Sequence, residues 1–135
     1  METVVHYEDW QMQCCGIPFA VGEPICWPVL RCEGEPLVDV GVGADWYYEA
    51  HGSDGDALKS LSGTVTAIRA VYYTYELVEG NPRFWRPVSG ILVPVERAAG
   101  WEPARPDGSF GAYLVWLKDA VVEDDSGLMG YSIFQ

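Results

Sequence analysis

Hydrophobic and polar positions alternate along much of the chain with the period of two that is typical of β-strands. The clearest case is Gly63 to Leu77, G-T-V-T-A-I-R-A-V-Y-Y-T-Y-E-L, where nearly every residue is β-branched, aromatic or small. Alternate positions from Val71 to Leu77 share one face, whereas Val65 and Ile68 are out of that phase. We therefore predict a long, bent strand with a β-bulge near Thr66–Ala67.

Shorter segments show the same alternation, and turns rich in Gly and Pro separate them. The predicted strands cover residues 4–10, 25–29, 37–40, 45–50, 84–86, 90–97, 112–117 and 131–134. Pro28 predicts an edge or a bulge in the second of these. No segment has a clear helical period of 3.6 residues, and we expect at most one or two helical turns, within residues 53–61.

These features predict an all-β fold with a single domain over residues 1–135. A chain of 135 residues has room for one hydrophobic core, and 49% hydrophobic residues suffice to fill it. The long glycine-led strand favours a strongly curved antiparallel sheet, in the form of a small barrel. A compact β-sandwich is the alternative.

Charge changes the range of possible partners. The net charge is −12, and the first 60 residues hold eleven acidic residues against Arg31 and Lys59. Such a field repels phosphate backbones and anionic membranes, so nucleic-acid binding is not expected unless the chain's arginines form a local patch (Arg69, Arg83, Arg86, Arg97 and Arg105). The alternative is that the acidic residues only keep an aromatic-rich protein soluble.

The N-terminus, Met-Glu-Thr, lacks the basic and apolar regions of a signal peptide, and no apolar run is long enough to span a bilayer. The four cysteines are therefore expected to be reduced thiols in a cytoplasmic protein. No feature of the sequence specifies an oligomeric state.

The least ordinary stretch runs from Trp10 to Trp27 and contains the adjacent Cys14 and Cys15, followed by Gly16. The spacing is not that of a structural zinc site, and adjacent side chains both ligate a metal only in an unusual turn. Three interpretations remain: buried thiols packing as small hydrophobes, a reactive thiol, or a zinc site. The candidate metal or thiol residues are Cys14, Cys15 and His51, and the other possible ligands are His6, Cys26 and Cys32.

Aromatic residues provide a second candidate site. Trp46, Tyr47 and Tyr48 stand beside Glu49, and together they could bind a basic protein or peptide through charge and cation–π contacts. The alternative is that these rings pack in the interior. A segment of opposite charge, Arg83-Phe84-Trp85-Arg86, is a further candidate for binding.

Enzymatic activity is not expected, since no G-x-S-x-G, P-loop, G-x-G-x-x-G or H-E-x-x-H motif is present, and we predict no catalytic residue. The preferred interpretation is a non-enzymatic, soluble binding module for a basic protein or peptide. One alternative is a metal-binding or thiol-active domain centred on the Cys14–Cys15 turn. Another is a protein with a small-molecule pocket at the mouth of the barrel. No cofactor is required.

The segment E-D-W-Q-M-Q-C-C-G, from Glu8 to Gly16, with Pro18-Phe19 and Gly22 after it, resembles the N-terminal signature of a family of short, acidic bacterial proteins of unknown function. The later Gly63-Thr64-Val65 with Ile68 is similar to the central strand of that family. The resemblance implies a bacterial setting but no activity, and it transfers no catalytic or binding residue to this chain.

Overall fold

Strands dominate the structure, a computed structural model that describes residues 2–32, 38–50 and 58–124. In chain order the elements are β1 Thr3–Glu8, α1 Asp9–Cys15, β2 Phe19–Ala20, β3 Pro24–Arg31, β4 Trp46–Tyr48, β5 Lys59–Val78, β6 Asn81–Val95, β7 Arg97–Ala98 and β8 Ser109–Asp124. The predicted all-β class is confirmed, with one short helix added.

Five strands are hydrogen-bonded in a closed circuit, in the order β3–β4–β1–β8–β5 and back to β3, and β6 is paired with β5 outside it. An odd number of strands cannot alternate in direction all the way round a circuit, so at least one neighbouring pair must be parallel. That pair is β1 and β4, and the other pairings of the circuit are antiparallel. The predicted curved sheet is therefore confirmed. Strands β2 and β7 form a separate two-stranded sheet.

Strand β5 organises the sheet because it changes its neighbour midway. Residues Lys59–Thr64 lie between β8 and β3, whereas Ile68–Val78 pair with β6. The register between β5 and β8 shifts between Val65 and Ala67, where β3 has ended and β6 has not yet begun. The predicted bulge near Thr66–Ala67 is thus confirmed. It bends β5 so that its first half closes the circuit and its second half leaves it.

The second half of β5 continues into a two-stranded projection. Strand β8 pairs with β5 only as far as Tyr73, so residues 74–89 form a β5–β6 ribbon that we call the hairpin. The segments 84–86 and 90–97, predicted to form one or two strands, belong largely to one strand, β6.

The core lies on the inner face of the sheet and is rich in aromatic rings. Tyr7 stacks on Tyr48 with ring centroids 3.8 Å apart and planes 10° apart, and Trp27 meets Tyr7 edge-on at 5.3 Å. Val115 and Leu117 of β8 are fully buried beside them. These contacts fix the inward face of β1, β4 and β8.

Residues 38–45, which we call the strap, cover part of the outer face. Val40 and Val42 pack there on a second apolar cluster that includes Val71. The end of the strap is fixed to β1, since the Val4 amide donates to Asp45 Oδ2 at 2.9 Å and the Asp45 amide donates to the Val4 carbonyl at 2.8 Å. The prediction of a strand at 37–40 is wrong for residues 38–40, which belong to no strand.

The helix α1 contradicts the prediction that helical turns would occur only near residues 53–61, and it ends β1 at Glu8 rather than at residue 10. It has seven residues and buries only Gln11 and Met12, too few positions for a period of 3.6 to be recognised. Of the predicted helical region, Lys59–Leu61 belongs to β5, and residues 53–57 lie outside the described residues, as does the strand predicted at 131–134.

Pro28 is tolerated because it lies one residue outside the β3–β4 ladder, which begins at Val29. Its carbonyl accepts a hydrogen bond from the Glu49 amide. In an extended residue the backbone nitrogen and oxygen point to the same side of the strand. The nitrogen of Pro28 therefore faces the β4 side at a point beyond the end of β4, where no ladder hydrogen bond is lost. This is the local edge that the sequence predicts.

Gly16 allows α1 to end in close contact with β1. A Cβ at this position would lie 2.5 Å from Tyr7 Oη and 2.7 Å from Met12 Cα. Both distances are far below van der Waals contact, and the Met12 atom is backbone. Only glycine fits here without a shift of the helix.

We expect Gly16→Ala to lower the free energy of unfolding by about 1–3 kcal/mol, the usual cost of overpacking a tight site. Urea denaturation would measure this change. Gly43→Ala is the matched control, because no atom lies within 4 Å of a Cβ built at Gly43. Its effect should stay within about 0.5 kcal/mol. Equal effects of the two substitutions would contradict the packing explanation.

Candidate functional site

A cavity of about 570 Å³ opens on the outer face of the sheet, bordered by the strap and by the base of the hairpin. We call it the groove. Side chains alternate between the two faces of a strand, so alternate positions of β1, β4 and β5 supply its floor. The main contributors are His6 and Glu8 from β1, Tyr47 from β4, and Val71, Tyr73 and Tyr75 from β5.

The charged side chains that line the groove are acidic. Glu8 and Asp9 lie at the junction of β1 and α1, and Glu49 follows β4. Burial raises the pKa of Asp9, and the charge of Glu8 adds to this shift. Among the described residues, no lysine or arginine lines the groove. The groove is therefore a region of negative potential.

Tyrosine rings form much of the remaining surface. Burial raises the pKa of Tyr73 to about 12, with neighbouring tyrosines and the carboxylates of Glu8 and Asp9 adding to the shift. Burial likewise raises the pKa of Tyr47 and of Tyr75. All three hydroxyls are therefore neutral at physiological pH, and the rings present polarisable faces beside carboxylates.

A glycine on β8 creates the space for one of these rings. A Cβ on Gly111 would lie 2.7 Å from Cδ2 and from Cε2 of Tyr73. The absence of a side chain at Gly111 lets the Tyr73 ring lie across β8 and reach the groove, which both residues line.

His6 lies in the floor of the groove as a neutral imidazole. Its Nε2 is 3.5 Å from Tyr73 Oη, and its ring meets Tyr47 edge-on with centroids 5.3 Å apart. Nδ1 is buried and has no hydrogen-bond partner among the described residues. Burial lowers the pKa of His6, and the charge of Glu8 only partly opposes this shift. At neutral pH the imidazole thus does not offset the acidic side chains.

The structure separates the four residues of the predicted aromatic site. Trp46 and Tyr48 are buried in the core, where Tyr48 stacks on Tyr7 and touches the groove only from its inner side, whereas Tyr47 and Glu49 line the groove from the outer face. Alternation along β4 causes this division, because neighbouring residues point to opposite faces. The sequence did not predict that His6, Glu8, Asp9, Tyr73 and Tyr75 would line this site, although alternation already placed Tyr73 and Tyr75 on one face.

Exposure differs among the four cysteines, and Cys32 lies in hydrogen-bond contact with Tyr47, one of the rings expected to bind. Cys14 and Cys15 are exposed, so the interpretation of buried thiols is wrong for these two. Their sulfur atoms are 2.8 Å apart. Cys26 and Cys32 are half-buried, and burial raises the pKa of Cys32, which lines the groove. His51 lies outside the described residues.

In the described ranges 2–32, 38–50 and 58–124, no three His, Cys, Asp or Glu side chains are arranged to hold a metal ion. The helix in those ranges is too short to cross a membrane.

Three of the arginines that could have formed a basic patch are held by separate partners. Arg86 bonds Glu76 at 2.8 Å, Arg105 bonds Asp107 at 2.8 Å, and the Arg69 guanidinium lies 5.1 Å from the Trp116 ring.

Comparison with known proteins gives a family but no activity. A family model matches residues 1–119, and its description is a family of unknown function (DUF6578). Neither the curated proteins nor the solved structures include a match to the chain. The resemblance to a family of unknown function that the sequence suggested is thereby confirmed.

The neutral state of His6 predicts a pH dependence of stability. The pKa of His6 in the folded chain is below the ordinary 6.5, so the unfolded chain binds a proton first as the pH falls. The free energy of unfolding therefore decreases from about pH 6.5 downward, until the pH passes the folded-state pKa. In His6→Gln this part of the pH dependence of the free energy of unfolding should disappear. The measurement is urea denaturation of both proteins between about pH 7 and 5. Parallel curves for the two proteins would contradict the assignment.

Proposed function

The chain belongs to DUF6578, a family of unknown function. From its own side chains we propose that it is a binding module whose groove holds a cationic side chain of a basic peptide or protein. The observation that supports this proposal is the composition of the groove. Carboxylates of Glu8, Asp9 and Glu49 line the groove together with tyrosine rings, and among the described residues no lysine or arginine lines it.

The carboxylates provide attraction at two ranges. The net charge of −12 attracts a basic partner over a distance and raises the rate of encounter. Within the groove, Glu8, Asp9 and Glu49 are close enough to the entering group to pair with it directly. Such pairs are stronger than exposed ones because the groove is partly shielded from water.

The tyrosine rings favour an organic cation over a hydrated metal ion. A guanidinium or ammonium group is attracted to the face of an aromatic ring, by roughly 0.5–2 kcal/mol depending on desolvation. Tyr47, Tyr73 and Tyr75 offer such rings, and their hydroxyls are neutral. These rings add affinity that carboxylates alone would lack.

Apolar residues complete the groove and suit the stem of a long side chain. Val40 and Val42 from the strap and Val71 and Leu114 from the sheet line it together with the acidic residues. Lysine and arginine bury their methylene groups on apolar surface while the charged end contacts polar groups. The groove therefore matches both parts of a basic side chain.

The same outer face continues along the hairpin, which indicates a peptide longer than one residue. Tyr75 is opposite Pro87 and Leu77 is opposite Trp85, so Tyr75, Leu77 and Trp85 share the face of Tyr73. Tyr75, Leu77 and Trp85 are 43%, 46% and 62% exposed. Tyr73 and Leu77 are four residues apart, roughly 13 Å along a strand. An extended peptide that places a basic residue in the groove would thus rest an apolar residue on the hairpin.

We expect a dye-labelled oligoarginine peptide to bind the full chain, with an affinity that falls as salt rises. Glu8→Gln and Glu49→Gln should each weaken binding by about threefold to tenfold, because a partly shielded charge pair contributes roughly 1 kcal/mol. Fluorescence anisotropy measures this affinity.

The matched control for these variants is Glu96→Gln, which removes an exposed carboxylate that does not line the groove. It should leave the affinity for oligoarginine nearly unchanged. Equal weakening by all three substitutions would show that net charge alone attracts the peptide, and no binding to wild type would overturn the proposal. Tight binding of free arginine, with no gain from a peptide, would identify a small-molecule pocket instead.

The hairpin has a test of its own. Trp85→Ala should weaken binding of a peptide in which arginine and leucine alternate by roughly tenfold, a typical loss for an exposed aromatic contact, and should affect oligoarginine much less. The control is Trp101→Ala, since Trp101 is 72% exposed and lies outside both the groove and the hairpin. Equal losses in the two tryptophan variants would remove the hairpin from the binding surface.

A further inference from the structure

The second unusual feature of the molecule is the pair of thiols at the end of α1. Cys14 and Cys15 are its last two residues, and both side chains are exposed. Neighbouring side chains on a helix point in directions about 100° apart and do not normally face each other. Here the two sulfur atoms converge to 2.8 Å. Neither residue lines the groove proposed to bind a cation.

The backbone that carries these thiols is firmly held. The Gly16 amide donates to the carbonyls of Gln11 and Met12 at 3.0 and 3.1 Å. The buried Gln11 side chain donates to the Tyr48 carbonyl at 2.9 Å and accepts from the Ala50 amide at 3.0 Å. The helix end therefore moves little, and the two thiols are presented together in advance of any ligand.

A second cavity, of about 490 Å³, adjoins one of the thiols. Cys15 lines it together with apolar and aromatic side chains, among them Ile17, Phe19 and Trp27. An organic group attached to a centre held by the thiols would have an apolar surface beside it. This cavity is separate from the carboxylates that line the groove.

We propose that Cys14 and Cys15 form a bidentate site for a soft, thiophilic centre, and that the ligand class is an organic compound of trivalent arsenic. Structural zinc takes four ligands, and in the described part of the chain no third His, Cys, Asp or Glu joins the two thiols. Sulfur ligands select soft centres. An organoarsenic(III) centre already holds one carbon, so two sulfur atoms complete its three bonds.

The chemistry balances without an oxidant or a reductant. Two S–H bonds break and two As–S bonds form, while the oxygen of the arsenic oxide leaves as water with both thiol protons. Hydrogen bonding to Cys14, above all, raises the pKa of Cys15, so that thiol holds its proton at neutral pH and can supply it to the departing water.

The test uses phenylarsine oxide and the reduced full chain, with intact mass spectrometry as the readout. Wild type should gain a single adduct whose mass is that of the reagent less one water. An excess of a monothiol should leave the adduct in place, and a small dithiol should remove it. Closing the second As–S bond within one molecule should strengthen binding by roughly a hundredfold or more over a single thiol.

Cys14→Ser and Cys15→Ser should each lose the monothiol-resistant adduct, and Cys32→Ser, the matched control outside the second cavity, should keep it. Cys14 and Cys15 are exposed and Cys32 is half-buried, and circular dichroism would verify that each variant keeps its strands. The proposal is overturned if wild type takes up two reagents independently, if it takes up none, or if the resistant adduct survives in Cys14→Ser.

Discussion

The structure depends on the change of neighbour within β5. At the bulge between Val65 and Ala67 the strand leaves β3 and turns toward β6. The segment just before β3 holds the backbone at this bulge. The Gly22 amide donates to the Val65 carbonyl, and the Val65 amide donates to the Glu23 carbonyl. Closure of the strand circuit and projection of the hairpin are thus two results of one bend. A straight strand of this length could not contribute to both.

That bend also determines where the groove lies. Tyr73 and Tyr75 occupy the part of β5 that leaves the circuit, while β1 and β4 remain inside it. The strap, fixed through Asp45, covers the neighbouring outer face and supplies one border of the groove. Burial in this part of the molecule raises the pKa of Tyr73 and lowers that of His6, so the imidazole stays neutral beside the carboxylates.

The short helix connects two sites of different chemistry. Asp9, at its first position, lines the acidic groove, whereas Cys15, at its last, lines the apolar cavity. Between them Gln11 bonds the backbone on both sides of Glu49. A charged, polarisable groove suits organic cations, and a pair of thiols suits soft centres. Seven residues hold both in place because the buried Gln11 and Met12 between them anchor α1 to the core.

Local patterns in the sequence determined the all-β class, the long strand with its bulge, and the shared face of Tyr73 and Tyr75, because alternation and phase are properties of neighbouring residues. Alternation defines two faces without saying which is buried, so the sequence could not decide whether Tyr47 or the pair Trp46 and Tyr48 would enter the core. The helix was missed because only two of its side chains are buried. The approach of His6 to Tyr73 required the order β1–β8–β5, which arises from pairings between strands distant in the chain. Only the tertiary structure decides such pairings, since the free energy that selects them comes from the shared core.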